Sequence, residues 1–235
     1  MNAAVGDDMA GRVARVRAAI DAAAFRVGRN PETVTLVAAS KGTSRAQIDA
    51  ARQMGVNVFG ENRVQEAVEK FGPLASANAL RRRGEVHLIG PLQTNKVKRA
   101  VGFFDLIHSV DRLDLAEAIG REAARQSITQ AVLIQVNICG KATQHGATPE
   151  ATPRLVAAVR SLPNVALLGL MAIPPATDDP EAVRPYFFLL RLLAVSLKLP
   201  RLSMGMSSDF EVAIEEGASW VRIGSALFGP RAPLQ

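Results

Sequence analysis

Short apolar runs alternate with helically patterned segments along the whole chain, and this alternation restricts the fold more than any other feature. Eight runs read as strands: Val34–Ser40, Val56–Glu61, Glu85–Gly90, Asp105–Val110, Ala131–Ile138, Val165–Ile173, Arg201–Met206 and Ser219–Phe228. Most are rich in Val, Ile and Leu, as strands of a parallel sheet covered on both faces should be. Helical patterns separate them at Ser44–Met54, Asn62–Phe71, Thr94–Val101, Arg112–Gln126, Pro149–Leu162, Pro180–Leu197 and Asp209–Glu216, and another, Met9–Val27, precedes the first strand. Eight strand–helix repeats predict a closed (β/α)₈ TIM barrel with an extra N-terminal helix, rather than an open doubly wound sheet. No Gly-x-Gly-x-x-Gly follows the first strand, which argues against a dinucleotide fold. Ser44 with Gln47 and Ser208 with Glu211 read as capping boxes, with Gly55 and Gly217 as the helix stops. At 235 residues the chain has the size of one barrel. With no linker or low-complexity tract, residues 1–235 are expected to form one domain: an N-terminal helical segment, 1–30, and the barrel, 34–229.

Composition excludes several classes. Hydrophobic residues make up 48%, enough for a sizeable core. No apolar run approaches the roughly 18 residues of a membrane span, and Asp7 and Asp8 sit where a signal peptide would be apolar, so a cytoplasmic protein is expected. The single cysteine, Cys139, allows no internal disulfide. The net charge of +6 comes from 22 arginines scattered over many helices, with one run at Arg81-Arg82-Arg83. Such scatter reads as solvated surface rather than a nucleic-acid stripe, although a positive field would attract a small phosphorylated ligand.

A barrel keeps its working residues at the carboxyl ends of its strands. Read around the ring, that edge carries Lys41, Asn62, Gly90, Ser109, Asn137, the Ser203–Ser208 stretch and Gly224-Ser225. Of six lysines, Lys41 alone directly extends an apolar strand; Lys70, Lys96, Lys98 and Lys198 occupy polar helical settings, and Lys141 an exposed loop. Alternation puts Val37, Ala39 and Lys41 on one side, with the small Ala39 leaving room beside the amine. Two readings stay open: a snorkelling lysine at a strand end, or a partly desolvated amine of lowered pKa that attacks an aldehyde. Met204-Gly-Met-Ser-Ser208 and Arg222-Ile-Gly-Ser-Ala226 supply hydroxyls, close-approach glycine and backbone N–H groups after strands seven and eight, where barrels often bind phosphate. Ser208 has a simpler reading as a helix cap. If Val221 and Ile223 point outward, Trp220, Arg222 and Gly224 face the barrel. Arg222 then either pairs with a carboxylate such as Asp209 or Glu61, or donates to a ring nitrogen and keeps it unprotonated. His87, His108 and His145 are dispersed and no metal-ligand spacing appears. His87 reads equally as a hydrogen-bonded core residue or a ligand, and no hydrolase triad is evident.

These residues resemble the pyridoxal phosphate homeostasis protein family. The similarity rests on Val37-Ala-Ala-Ser-Lys41, Phe59-Gly-Glu-Asn-Arg-Val-Gln-Glu66, His87-Leu-Ile-Gly-Pro-Leu-Gln-Thr-Asn-Lys96, Ile107-His-Ser-Val-Asp-Arg112, Gln135-Val-Asn-Ile138, Gly169-Leu-Met-Ala-Ile-Pro174, Leu202-Ser-Met-Gly-Met-Ser207 and Val221-Arg-Ile-Gly-Ser-Ala-Leu-Phe-Gly229, in that order. It implies a barrel like the N-terminal domain of alanine racemases (fold type III among pyridoxal phosphate proteins) without their second domain. It implies pyridoxal 5′-phosphate held as a Schiff base on Lys41, phosphate contacts from Ser203, Ser207, Gly224 and Ser225, Arg222 near the pyridine nitrogen and Asn62 near the ring. The family is regarded as a carrier or buffer in vitamin B6 homeostasis with no established catalysis; the resemblance also implies a monomer, with the cofactor and, at most, apo-enzymes that use it as partners. Departures from the family pattern are Thr43 and Gln144 at positions where relatives often have lysine, Arg63 where tyrosine is frequent, and a C-terminus, Pro230–Gln235, without lysines. They bear on a secondary cofactor site or lysine-to-lysine transfer, not on the first site.

Two alternatives use the same residues. A pyridoxal phosphate-dependent racemase needs a second acid–base group opposite the lysine. The only tyrosine, Tyr186, is expected away from the site, and Cys139 and His87 are the remaining substitutes. A phosphosugar-binding barrel would use the phosphate loops and need no Schiff base.

Overall fold

The computed structural model describes residues 3–72, 84–141 and 143–229, with side chains from Met9 onward. Its eight strands are β1 (Thr35–Ala39), β2 (Val58–Glu61), β3 (Glu85–Leu88), β4 (Leu106–Val110), β5 (Gln130–Val136), β6 (Val165–Ala172), β7 (Arg201–Ser203) and β8 (Trp220–Ile223). They form a closed, all-parallel ring in chain order. Pairing of Thr35–Ala38 with Trp220–Ile223 joins the last strand to the first. The helices are α1 (Ala3–Arg26), α2 (Arg45–Gln53), α3 (Val64–Phe71), α4 (Val97–Ala100), α5 (Leu113–Arg125), α6 (Thr152–Arg160), α7 (Arg184–Ser196), α8 (Phe210–Glu215) and α9 (Ser225–Phe228). None is long and apolar enough to cross a membrane. The Arg81–Arg83 run and the segment 230–235 lie outside the described residues.

Strand alternation divides the molecule into two interiors. Ala38, Phe59, Leu88, Ile107, Ile134, Leu170, Leu202, Val221 and Ile223 point outward into one continuous apolar layer beneath the helices. On the opposite faces of the strands, Leu106, Leu133 and Met171 form a separate small cluster with Trp220, Leu168 and Ile173 inside the ring. The N-terminal helix joins the outer layer through Met9, Val13, Val16, Ile20 and Ala24, all buried, at the three-to-four-residue spacing of one helix face. It packs on α8 and α9, and Arg26 anchors it to Glu211 and Glu215 at 2.8 and 2.7 Å.

Two local expectations fail for identifiable reasons. The last strand ends at Ile223, and Ser225–Phe228, read as its continuation, is the short helix α9. A brief run such as Ala226-Leu-Phe228 carries too few residues for its period to separate strand from helix. The capping box at Ser44 is present, with Ser44 and Gln47 bonded reciprocally, but the one expected at Ser208 is not. The turn Met206–Asp209 shifts the cap to Asp209, and Glu211, which should have closed the box, is drawn to Arg26.

Candidate functional site

A cavity of about 350 Å³ opens at the carboxyl ends of the strands, lined by Lys41, Asn62, Ser207, Arg222, Gly224 and Ser225 together with Ala39, Ile89, Ile173, Met206 and Ser208. Six of the seven residues expected to hold a cofactor therefore meet in one place. The seventh, Ser203, lies beneath it: it is fully buried, and its hydroxyl accepts from Arg222 Nη1 at 2.6 Å. Ser208 is a lining residue that the helix-cap reading obscured. Of the other rim residues, Ser109 and Asn137 are buried and do not line the cavity; Asn137 Nδ2 instead donates to the carbonyls of Lys141 and Gln144, folding down the loop after β5. Lys141, the rival amine, is exposed and outside the cavity.

Lys41 follows the end of β1 and shares the cavity wall with Ala39, as alternation requires. The chain on both sides of it is tied down. Lys70 Nζ donates to the Ser40 carbonyl and to Glu61 Oε1 at 3.0 Å, and Ser40 Oγ donates to the same carboxylate oxygen at 2.7 Å. On the other side, the Gly42 amide donates to Glu66 Oε1 at 2.7 Å, and Glu66 pairs with Lys70 at 2.6 Å. Burial pushes the Glu61 carboxyl up, while its bonds to Ser40 and Lys70 oppose that shift. The sequence placed Lys70 in a polar helical setting. Its side chain is only 13% exposed and neutralises a fully buried glutamate instead. Helical spacing of Glu66 and Lys70 signals that pair, but nothing local signals the contact with Glu61.

Asn62 leaves β2 just where the chain after β3 passes it. A Cβ at Gly90 would lie 2.3 Å from the Asn62 carbonyl oxygen, so glycine is required for the two loops to approach. On the opposite wall, Gly205 at φ +92° turns the chain out of β7. Ser207 Oγ then accepts from the amides of Gly224 and Ala226 at 3.3 and 3.4 Å. Ser207, Ser208 and Ser225 bring three hydroxyls to the cavity wall. This donor set suits a phosphate.

Arg222 is buried and points inward with Trp220, while Val221 and Ile223 point outward. Besides Ser203, its guanidinium donates from Nη2 to the Ala172 carbonyl at 2.9 Å. Neither carboxylate considered for it is a direct partner: Asp209 Oδ1 accepts from the Met206 amide at 2.6 Å, and Glu61 is held by Ser40 and Lys70. Burial lowers the Arg222 pKa to about 10, with the Asp209 charge opposing, so the group remains a cation and a donor at neutral pH. Two of its five N–H groups are used in these bonds, leaving donors for a ligand. His87 is the hydrogen-bonded core histidine of the two readings, 3.1 Å from His108 inside the barrel. Among the described residues no three His, Cys, Asp or Glu side chains are grouped to hold a metal. Tyr186 lies on α7, outside the cavity.

The chain matches the alanine racemase N-terminal domain family over residues 12–232. The pyridoxal phosphate homeostasis protein of Aquifex aeolicus is 47% identical over 226 residues, covering 94% of this chain and 97% of the relative. The solved structure of PipY from Synechococcus elongatus, with PLP bound, is 35% identical and superposes with a TM-score of 0.80 over 94% of this chain and 100% of its own. An alanine racemase from Clostridium difficile, 13% identical with a TM-score of 0.74, has the same barrel in 58% of its length. With such identity over nearly its whole length, and on the barrel shared with the racemases, the chain belongs to the pyridoxal phosphate homeostasis protein family.

Proposed function

We propose that the cavity holds pyridoxal 5′-phosphate, that Lys41 Nζ is the residue bonded to its aldehyde carbon, and that the protein carries or buffers the cofactor rather than turning over a substrate. The observation that carries this reading is the convergence of one lysine amine, a hydroxyl-and-amide cradle and a buried arginine on the same cavity of about 350 Å³. The cradle of Ser207, Ser208, Gly224 and Ser225 takes the phosphate, Arg222 donates to the pyridine nitrogen, and Asn62, Ile89 and Ile173 flank the ring. The Lys41 amine would hold the cofactor by condensing with its aldehyde, with loss of one water. The bound cofactor supplies an electrophilic imine. The protein's own contribution, a cationic donor at the ring nitrogen, keeps that nitrogen unprotonated and the ring a poor electron sink.

Carriage rather than catalysis is supported by the side chains on the cavity wall. Among the described lining residues the ionisable ones are Lys41 and Arg222, whereas two-base racemisation needs a further proton donor and acceptor across the ring. Cys139 is outside the cavity, and burial raises its thiol pKa. The protein is proposed to act as a monomer, in the cytoplasm, with apo-enzymes that use the cofactor as its recipients.

Borohydride reduction of protein incubated with pyridoxal phosphate should leave one stable adduct on the Lys41 peptide, and Lys41→Ala should abolish it. An adduct that moves to Lys141 would overturn the site, and saturating cofactor with no adduct would favour the phosphosugar reading. Sustained inversion of an amino acid by the loaded protein, followed by chiral chromatography, would overturn the carrier reading.

A further inference from the structure

Beneath the cavity, five polar side chains cross the interior of the barrel in one line. Arg222 Nη1 lies 2.6 Å from Ser203 Oγ, Ser203 Oγ lies 2.8 Å from His108 Nδ1, His108 Nε2 lies 3.1 Å from His87 Nδ1, and His87 Nε2 lies 3.3 Å from Glu85 Oε2. Ser203, His87 and His108 are buried, whereas Glu85 begins β3 at the opposite mouth with its side chain 63% exposed. Trp220 stands edge-on to both imidazoles and fills the space beside them.

For two neutral imidazoles, the two ends of this line determine its direction. Arginine has only donors and a carboxylate only acceptors. Ser203 Oγ must therefore accept from Arg222, which leaves its own proton for His108 Nδ1. His108 then carries its proton on Nε2 and donates to His87 Nδ1, and His87 carries its proton on Nε2 and donates to Glu85. The reverse order would point a bare His87 nitrogen at a carboxylate, with no proton between two acceptors. A charged His108 would place a second cation next to Arg222. Burial, with the nearby charge of Arg222, drives its pKa well below the usual histidine value and keeps it neutral.

We propose that Ser203, His108, His87 and Glu85 are positioning residues, a one-way hydrogen-bond relay that orients the Arg222 guanidinium at the floor of the cavity from the far end of the barrel. The Glu85 carboxylate polarises each successive acceptor, so that Ser203 Oγ receives the guanidinium more strongly than an isolated hydroxyl would. The relay itself needs no cofactor. Only its consequence for affinity rests on the pyridoxal phosphate reading above.

The first measurement needs no cofactor. Long-range ¹H–¹⁵N correlation spectra of the full chain at neutral pH should show both His87 and His108 as neutral imidazoles protonated on Nε2; protonation of His108 on Nδ1, or a charged ring, would overturn the relay. Glu85→Ala, a change at an exposed position, should shift the Arg222 side-chain N–H resonances; unmoved resonances would overturn the coupling to the far mouth. Fluorescence titration with pyridoxal phosphate then reads the consequence. His108→Leu, which fills space but breaks the chain, should weaken binding by about tenfold, and His108→Gln, whose amide can accept and donate, should restore most of it. Wild-type affinity in His108→Leu would show that the histidine only fills space. If wild type takes up no pyridoxal phosphate, the function proposed above fails while the imidazole spectra still decide the relay.

Discussion

The two faces of the barrel strands solve opposite problems. Outside the ring, Phe59, Leu88, Ile107 and Ile134 pack under the helices in an apolar layer whose cohesion comes from area removed from water. Inside it, at the neighbouring positions on the same strands, stand Gly60, His87, His108 and Leu133. Their interior is small and partly polar: it combines a short apolar cluster with a hydrogen-bonded line ending in a buried cation. The outer layer tolerates any close-packed set of aliphatic side chains. The inner one depends on each donor meeting its acceptor, because an unpaired polar group there costs more than it would at the surface.

This contrast is open to attack from both sides. The largest effect should come from the outer layer. Phe59 is fully buried and packs at a tilt of 45° against Phe71 of α3, 5.7 Å between ring centres, so Phe59→Ala should cost about 3–5 kcal/mol in urea unfolding. A loss below about 1 kcal/mol would mean that the layer collapses easily onto the gap. On the inner face the sign of the error reverses, from too little volume to too much. A Cβ at Gly60 would lie 2.8 Å from Ile89 Cδ1 and 3.0 Å from Val37 Cγ1, so Gly60→Ala should cost about 1–3 kcal/mol and push Ile89 into the cavity, weakening cofactor uptake as well.

The smallest effect is one of pH. The folded pKa of His108 lies well below its unfolded value of 6.5, so under acid conditions the unfolded chain binds a proton there that the barrel excludes. This contribution to stability is complete above pH 6.5 and is lost as pH falls toward the folded pKa, by at most about 1.4 kcal/mol per pH unit. Denaturation midpoints at stepped pH should show that slope in the wild type and a flatter one in His108→Gln. Equal slopes would mean that His108 is hydrated or charged in the folded barrel.

Much of the site was legible because barrels present function at one edge and the strand ends are readable. Lys41, Gly224 and Ser225 stand out from their apolar approach or their glycine–hydroxyl chemistry; Asn62 and Ser207 stand on the same edge, and the family resemblance implied their roles. Ser203 carried the same resemblance but lies one layer below the cavity. Its sequence neighbours do not reveal that β7 ends there and that Gly205 turns the chain away. Lys70 and Glu61 are nine residues apart, and the helix that brings them together says nothing of how it docks on the strand.

The sequence by itself determined the alternation of eight strands and the helices between them and the strand-end position of Lys41, because periodicity and strand ends are local properties of the chain. Only the tertiary structure decided that Glu85, His87, His108, Ser203 and Arg222 would align, and which carboxylate Lys70 would neutralise. Those residues come from different strands and from a docked helix, and a hydrogen bond between distant segments exists only once closure of the barrel has set their spacing.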